Sequence, residues 1–82
     1  MEREQVFART RDVMARVFDV APESISETMN ASDVDGWDSL SHLIVLTALE
    51  KAFDVELPME RAHAAQDVGA LVTIISESVG GS

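Results

Sequence analysis

Four segments of the chain carry apolar residues at helical spacing. In residues 2–18 these side chains recur every three or four positions, at Val6, Phe7, Val13, Met14, Val17 and Phe18, with Thr10 on the same stripe. Such spacing predicts an amphipathic helix with one buried side. Residues 39–53 and 67–79 repeat the pattern, whereas residues 59–65 are long enough for only about two turns. We therefore predict an all-α fold: a small four-helix bundle of three main helices and one short helix.

A long loop connects the first and second predicted helices. Between residues 19 and 38, Pro22, Asn30, Gly36 and several serines interrupt the helical spacing, and we expect one short helical turn at residues 22–26. Four apolar loop residues are expected to attach the loop to the core: Val20, Ile25, Met29 and Val34. An irregular connection of about 20 residues is uncommon in a compact domain and is often functional.

The second predicted helix is apolar around most of its circumference. Its core ridge is predicted to comprise Leu43, Leu46, Leu49 and Phe53, and Ile44, Val45 and Ala52 widen the apolar surface. A helix of this kind either lies at the centre of the bundle or keeps an apolar side for a ligand or a partner. In the last segment, Asp67 is expected to cap a helix whose core stripe comprises Val68, Leu71, Val72, Ile74, Ile75 and Val79.

Length and composition limit how the fold can be stabilised. The 82 residues allow a single domain, predicted over residues 1–79 with a flexible tail at residues 80–82. The chain has no cysteine, so disulfides and thiolate metal sites are excluded. Packed, mostly aliphatic side chains must supply the stability.

The charge of the chain is strongly acidic and unevenly distributed. The formal net charge is −9, and residues 17–50 hold seven acids with no lysine or arginine. This disfavours nucleic acids and anionic membranes as partners and suits basic protein surfaces, although solubility alone would also account for it. No apolar run approaches the roughly 18 residues of a membrane helix, and no apolar signal core follows the N-terminus. We therefore expect a cytoplasmic protein.

Asp38 and Ser39 stand at the start of the second predicted helix. Asp or Ser before an apolar run is commonly an N-cap. Gly36 allows the loop to turn and Asp38 can cap the helix, so Ser39 falls at the first helical position with its hydroxyl directed outward. The helix N-terminus favours an attached anion by roughly 0.3–1 kcal/mol. This is too little to retain a free ligand, so a covalent link is the chemistry that fits.

Other chemistries lack the residues they need. Placing Gly36 at the glycine position of a calcium loop would put Ala31 and His42 where carboxylates are required, so no metal site is expected. His42 and His63 lack ligand partners and are expected at the surface, with His42 one turn after Ser39. A Ser-His hydrolytic pair would lack a third member and an oxyanion hole. The chain is therefore not expected to be an enzyme.

The site segment resembles that of acyl carrier proteins. The resemblance rests on Gly36-Trp37-Asp38-Ser39-Leu40, followed by Ala48-Leu49-Glu50, Phe53 and Leu57-Pro58, and it extends over most of the chain. It implies that a phosphopantetheinyl transferase moves a 4'-phosphopantetheine arm from coenzyme A onto Ser39 Oγ, flanked by Asp38 and Leu40. Acyl groups would be held on this arm as thioesters and delivered to partner enzymes.

The resemblance also implies a partner surface on a monomeric protein. Its residues would be Trp37, Asp38, Leu40, Ser41, His42, Ile44, Thr47, Glu50, Lys51 and Arg61. The partners would be the transferase, an acyl-loading enzyme and synthase or transferase enzymes. The alternative for Trp37 is a side chain folded onto the edge of the core. Some carriers fold the acyl chain into the bundle, and the cavity would then be lined by Leu43, Leu46, Leu49, Ala62 and Leu71.

One departure from the family pattern bears on the pathway. Carriers of fatty acid synthesis typically have carboxylates along the helix after the serine, whereas this chain has Ser41, His42, Ile44, Thr47 and Lys51 there. The segment is more similar to stand-alone carriers of polyketide or other specialised biosynthesis. An aminoacyl or peptidyl carrier is an alternative. So is an acidic helical adaptor without an arm, for which Ser39 would be dispensable while Ile44 and Leu46 would matter.

Overall fold

The computed structural model describes residues 2–80 and consists of helices joined by loops. The helices are α1 (Arg3–Phe18), α2 (Ser39–Phe53), α3 (Met59–Ala64) and α4 (Val68–Gly80), and a single 3₁₀ turn spans Pro22–Ser24. Over the described range, extended pairing is limited to one isolated bridge between Asn30 and Asp67. The all-α class and the arrangement of three main helices and one short helix are thus confirmed. The flexible tail was predicted at residues 80–82. Gly80 is instead the last residue of α4, and residues 81 and 82 lie outside the described residues.

The core lies between α1, α2 and α4 and is mostly aliphatic. Its fully buried large side chains are Val6, Met14, Val45, Leu46, Leu49, Val68, Leu71, Val72 and Ile75, together with Thr10. The loop contributes Ile25 and Val34, which are buried as predicted, and Met29 is partly buried. Val20 is 39% exposed, so the expectation that it attaches the loop to the core is wrong. The chain leaves α1 through Asp19, whose φ is 55°, and Val20 is the first residue after this left-handed turn. None of the described helices is long and apolar enough to cross a membrane.

Helix α2 buries a different side from the one predicted. Leu46, Leu49 and Phe53 are buried as expected, but Leu43 is 43% exposed and Ile44 is 50% exposed. The buried side of the first two turns is formed by His42, Val45 and Leu46 instead. The prediction for Leu43 is wrong because a helix that is apolar nearly all round has no periodic signal that selects its buried side.

The start of α4 holds the long loop in place. The N–H groups of Val68 and Gly69, in the first turn of α4, donate to the carbonyls of Met29 and Glu27 at 2.9 and 2.8 Å. These amides have no partner within their own helix. A Cβ at Gly69 would lie 3.0 Å from the Glu27 oxygen, so the absence of a side chain permits the approach. Asp67 Oδ1 accepts from the Ala70 N–H at 2.8 Å, which confirms the predicted cap.

Two leucines of α2 test which side of the helix is core. Leu49 is fully buried, so Leu49→Ala is expected to lower the free energy of unfolding by about 2–5 kcal/mol. The matched variant Leu43→Ala removes the same atoms from an exposed position and should change it by no more than about 0.5 kcal/mol. Urea unfolding followed by circular dichroism measures both. Equal losses in the two variants would contradict the orientation of α2 described above.

Candidate functional site

The loop ends in a turn that presents Ser39 at the first position of α2. Gly36 has a φ of 86°, a left-handed conformation that glycine adopts readily. Asp38 follows in an extended conformation, with a φ of −122°, and is the N-cap of α2. Ser39 is exposed, and among the described residues its hydroxyl has no hydrogen-bond partner. The hydroxyl is therefore available for covalent attachment.

Ser41 connects the turn to the helix through its hydroxyl. The Asp38 N–H donates to Ser41 Oγ at 2.8 Å, and the Ser41 N–H donates to Asp38 Oδ1 at 3.0 Å, forming a reciprocal capping box. The Ser41 hydroxyl proton is directed to the Gly36 carbonyl, with Oγ 2.5 Å from that oxygen. Ser41 is half-buried by these contacts. Ser41 was predicted to contact partners, but in this structure its hydroxyl serves the turn that positions Ser39.

The Asp38 carboxylate occupies the N-terminus of α2. The hydrogen bond from the Ser41 N–H, with a smaller contribution from the Leu40 N–H, lowers the pKa of Asp38 below its ordinary value. An anion on Ser39 would therefore meet helix amides that already interact with a carboxylate. The expected benefit of unpaired N–H groups for a phosphodiester is reduced accordingly, which makes the covalent bond the interaction that would keep the group in place.

Trp37 and His42 do not lie on the exposed surface, and this part of the predicted partner surface is wrong. Their exposed fractions are 6% and 8%. The Trp37 indole N–H donates to His42 Nδ1 at 2.9 Å, with ring centroids 5.9 Å apart. The indole also lies 6.1 Å from the Phe18 ring, so its alternative placement at the core edge is correct. The burial of His42 was not expected. Its hydrogen-bond partners are an indole and a backbone carbonyl, and no sequence motif indicates such a pair.

An open groove begins at Ser39 and runs to the C-terminal end of α3. Its volume is about 520 Å³, and it is lined by Asn30, Ala31, Ser32, Trp37, Asp38, Ser39, His42, His63, Ala65 and Gln66. The lining combines two alanines and the Trp37 indole with amide, hydroxyl and imidazole groups and the Asp38 carboxylate. A flexible polar chain attached to Ser39 could therefore lie along it. His63 was not among the predicted site residues, because nothing in the local sequence links α3 to Ser39.

The exposed side of α2 next to Ser39 is apolar. Leu40 is 70% exposed, Ile44 is 50% exposed and Leu43 is 43% exposed. Thr47 and Lys51, further along the helix, are also exposed. We call these five residues the α2 face. The predicted partner surface did not include Leu43, because this residue was predicted to belong to the core.

The remaining predicted partner residues have contacts within the fold. Glu50 is half-buried, and its Oε2 accepts from the Leu57 N–H at 2.9 Å. Arg61 is exposed but pairs with Glu77 of α4 at 2.6 Å, and this hydrogen bond lowers the pKa of Glu77. Within residues 2–80, no three histidine or carboxylate side chains are grouped as metal ligands would be.

The cap formed by Asp38 predicts a pH-dependent stability. Because the folded-state pKa of Asp38 is lowered, its stabilising effect is present above the ordinary carboxyl pKa of 3.8 and is lost as the pH falls below it. We expect Asp38→Ala to lower the melting temperature at neutral pH and Asp38→Asn, which keeps a cap oxygen, to lower it less. The difference between wild type and Asp38→Asn should shrink in acid. Thermal unfolding at a series of pH values measures this, and a difference that grows in acid would contradict it.

Comparison with known proteins places the chain in a family. Residues 8–75 match the family model described as the phosphopantetheine attachment site. The acyl carrier protein of Phenylobacterium zucineum is 35% identical over 75 residues, which cover 92% of this chain and 95% of that protein. That of Caulobacter vibrioides is 33% identical over 72 residues (88% and 92%), and that of Picosynechococcus sp. is 32% identical over 78 residues (94% and 95%). The chain therefore belongs to the acyl carrier protein family, which confirms the phosphopantetheine cofactor and the carrier rather than enzymatic role expected from the sequence.

Proposed function

We propose that Ser39 carries the phosphopantetheine arm of this carrier. The observation that carries the proposal is the contrast between two neighbouring serines. The Ser39 hydroxyl is exposed and has no partner among residues 2–80, whereas the Ser41 hydroxyl is held by the Gly36 carbonyl. When attached, the arm supplies a terminal thiol on which an acyl group is held as a thioester.

The residues around Ser39 would position the arm rather than react with it. Asp38 and Ser41 hold the start of α2, and Ser39 is one of the residues that line the groove. Leu40, the third predicted site residue, is 70% exposed and does not line the groove. An enzyme that receives the arm must approach this end of α2 and would therefore contact Leu40 and Ile44. A tethered cargo then reaches each partner at high effective concentration.

We further propose that the pathway is polyketide or other specialised biosynthesis. The support is the α2 face, which has no acidic residue between Asp38 and Glu50. A partner with a basic docking patch would gain little from it. Fatty acid synthesis is the second candidate, because the net charge of −9 would attract a basic partner over a longer range. The monomeric state and the cytoplasmic location stay predictions.

The two other readings of the sequence have less support. All the relatives described above are acyl carriers, which favours an acyl cargo over an aminoacyl or peptidyl one. The arm-free adaptor was expected to bind through Ile44 and Leu46. Leu46 is fully buried, so only Ile44 of that pair could contact a partner.

Loading tests the site. We expect wild-type protein incubated with coenzyme A and a broad-specificity phosphopantetheinyl transferase to gain the mass of one phosphopantetheine. Ser39→Ala should remain folded and gain none, because the acceptor oxygen is absent. Intact-protein mass spectrometry measures the gain, and circular dichroism checks the fold.

Ser41→Ala is the matched control for this assay. It removes a hydroxyl two positions away and with it the bond from the Asp38 N–H, but the Ser41 N–H can still donate to Asp38 Oδ1, so α2 should still begin at Ser39. Ser41→Ala should therefore still be loaded, although its melting temperature should fall because half of the capping box is lost. Loading of a folded Ser39→Ala, or a loss of loading only in a folded Ser41→Ala, would overturn the assignment. A folded wild type that gains no mass would favour the adaptor.

Substitution of Ile44 tests the chemistry of the docking surface. If partners meet an apolar α2 face, Ile44→Glu should raise the KM of the transferase for this protein by about tenfold, which is the size expected for losing a buried aliphatic contact. The KM of the wild type should change little with added salt. The control is Val20→Glu, which adds the same charge at an exposed apolar residue after α1 and should leave the KM unchanged. A lower KM for Ile44→Glu would indicate a basic partner surface instead.

A further inference from the structure

The buried hydrogen bonds of His42 require one particular form of its ring. An indole N–H can only donate, so His42 Nδ1, which lies 2.9 Å from Trp37 Nε1, must accept and carries no proton. The proton of the neutral ring is then on Nε2, which donates to the Ala62 carbonyl at 2.9 Å. The neutral Nε2–H tautomer is the form that satisfies both partners.

These two bonds join three elements beside Ser39. Trp37 belongs to the loop before α2, His42 to α2, and Ala62 to α3, where it is fully buried. Helix α3 has six residues, too few to be stable without contacts to its neighbours. Trp37 and His42 also line the groove, and His63 lies on its α3 side. His42 therefore ties the loop wall of the groove to the α3 wall.

Protonation would remove this connection. A protonated imidazole has an N–H on both nitrogens, so Nδ1–H would face the Trp37 N–H and two donors would meet without an acceptor. Two other titratable groups line the groove around His42, namely Asp38 in the loop and His63 in α3. Asp38 is engaged with Ser41, and the His63 ring centroid is 6.3 Å from that of His42. Neither accepts a hydrogen bond from His42 in this arrangement.

We propose that neutral His42 is a positioning residue that clamps Trp37 and α3 together, and that protonation of His42 opens this clamp. The groove beside Ser39 would then be shaped differently when His42 is protonated. The consequence for the arm rests on the proposed function of Ser39. The clamp itself belongs to the unmodified chain, so the two proposals can fail separately.

Tryptophan fluorescence of the unmodified protein tests the clamp. Trp37 is the single tryptophan of the chain, so all indole emission reports on this position. The emission is recorded between about pH 8 and about pH 5, the range in which histidines change charge. Three proteins are compared: wild type, His42→Gln and His63→Gln. A glutamine amide offers one acceptor and one donor but does not titrate in this range.

We expect the emission of the wild type and of His63→Gln to change across this range and that of folded His42→Gln to stay constant. The proposal is overturned if the wild-type emission is constant, if the change persists in folded His42→Gln, or if only His63→Gln abolishes it. If circular dichroism shows that His42→Gln is unfolded, the protonation of the wild-type His42 ring is measured instead, by nitrogen NMR at about pH 8. A proton on Nε2 alone supports the clamp, and a proton on Nδ1 overturns it.

Discussion

The reciprocal hydrogen bonding between Asp38 and Ser41 is the interaction on which the site depends. It sets the residue at which α2 begins and thereby makes Ser39 the first helical residue, with an exposed hydroxyl. The additional bond from Ser41 to the Gly36 carbonyl joins the left-handed turn to the same cap. Without this cap the helix N-terminus would fray, and the position of the Ser39 oxygen would no longer be defined.

A second constraint is that α2 must be buried on one side and exposed on the other, although both sides are apolar. One side supplies Val45, Leu46 and Leu49 to the core, and the other leaves Leu40, Leu43 and Ile44 in solvent. Exposed apolar residues in one continuous stripe are unfavourable in water unless a partner covers them. The arrangement is understandable if partner enzymes cover the α2 face each time they receive the arm. An acidic chain with an apolar docking face would combine long-range attraction with short-range apolar contact.

Much of the fold could be predicted because the relevant signals are local. The range of α2, the cap at Asp67 and the stripe of α4 all follow from spacing and capping residues within a few positions of one another. Ser39 could be singled out for the same reason. The contact of His42 with the Ala62 carbonyl could not, because it depends on how α3 packs beside α2, some 20 residues further along the chain. Val20 was misplaced for a related reason: its exposure is set by the left-handed turn at Asp19, which the residue types around it do not require.

The sequence by itself determined the helical class and the helix that begins at Ser39, because helix periodicity and N-capping are properties of short segments. Tertiary structure decided which side of α2 faces solvent and where His42 points. Leu43 and His42 are adjacent in the sequence, yet the leucine is exposed and the histidine is buried. The physical reason is that burying His42 satisfies both ring nitrogens, through Trp37 and the Ala62 carbonyl, and these partners are brought together only when the loop and α3 pack against α2.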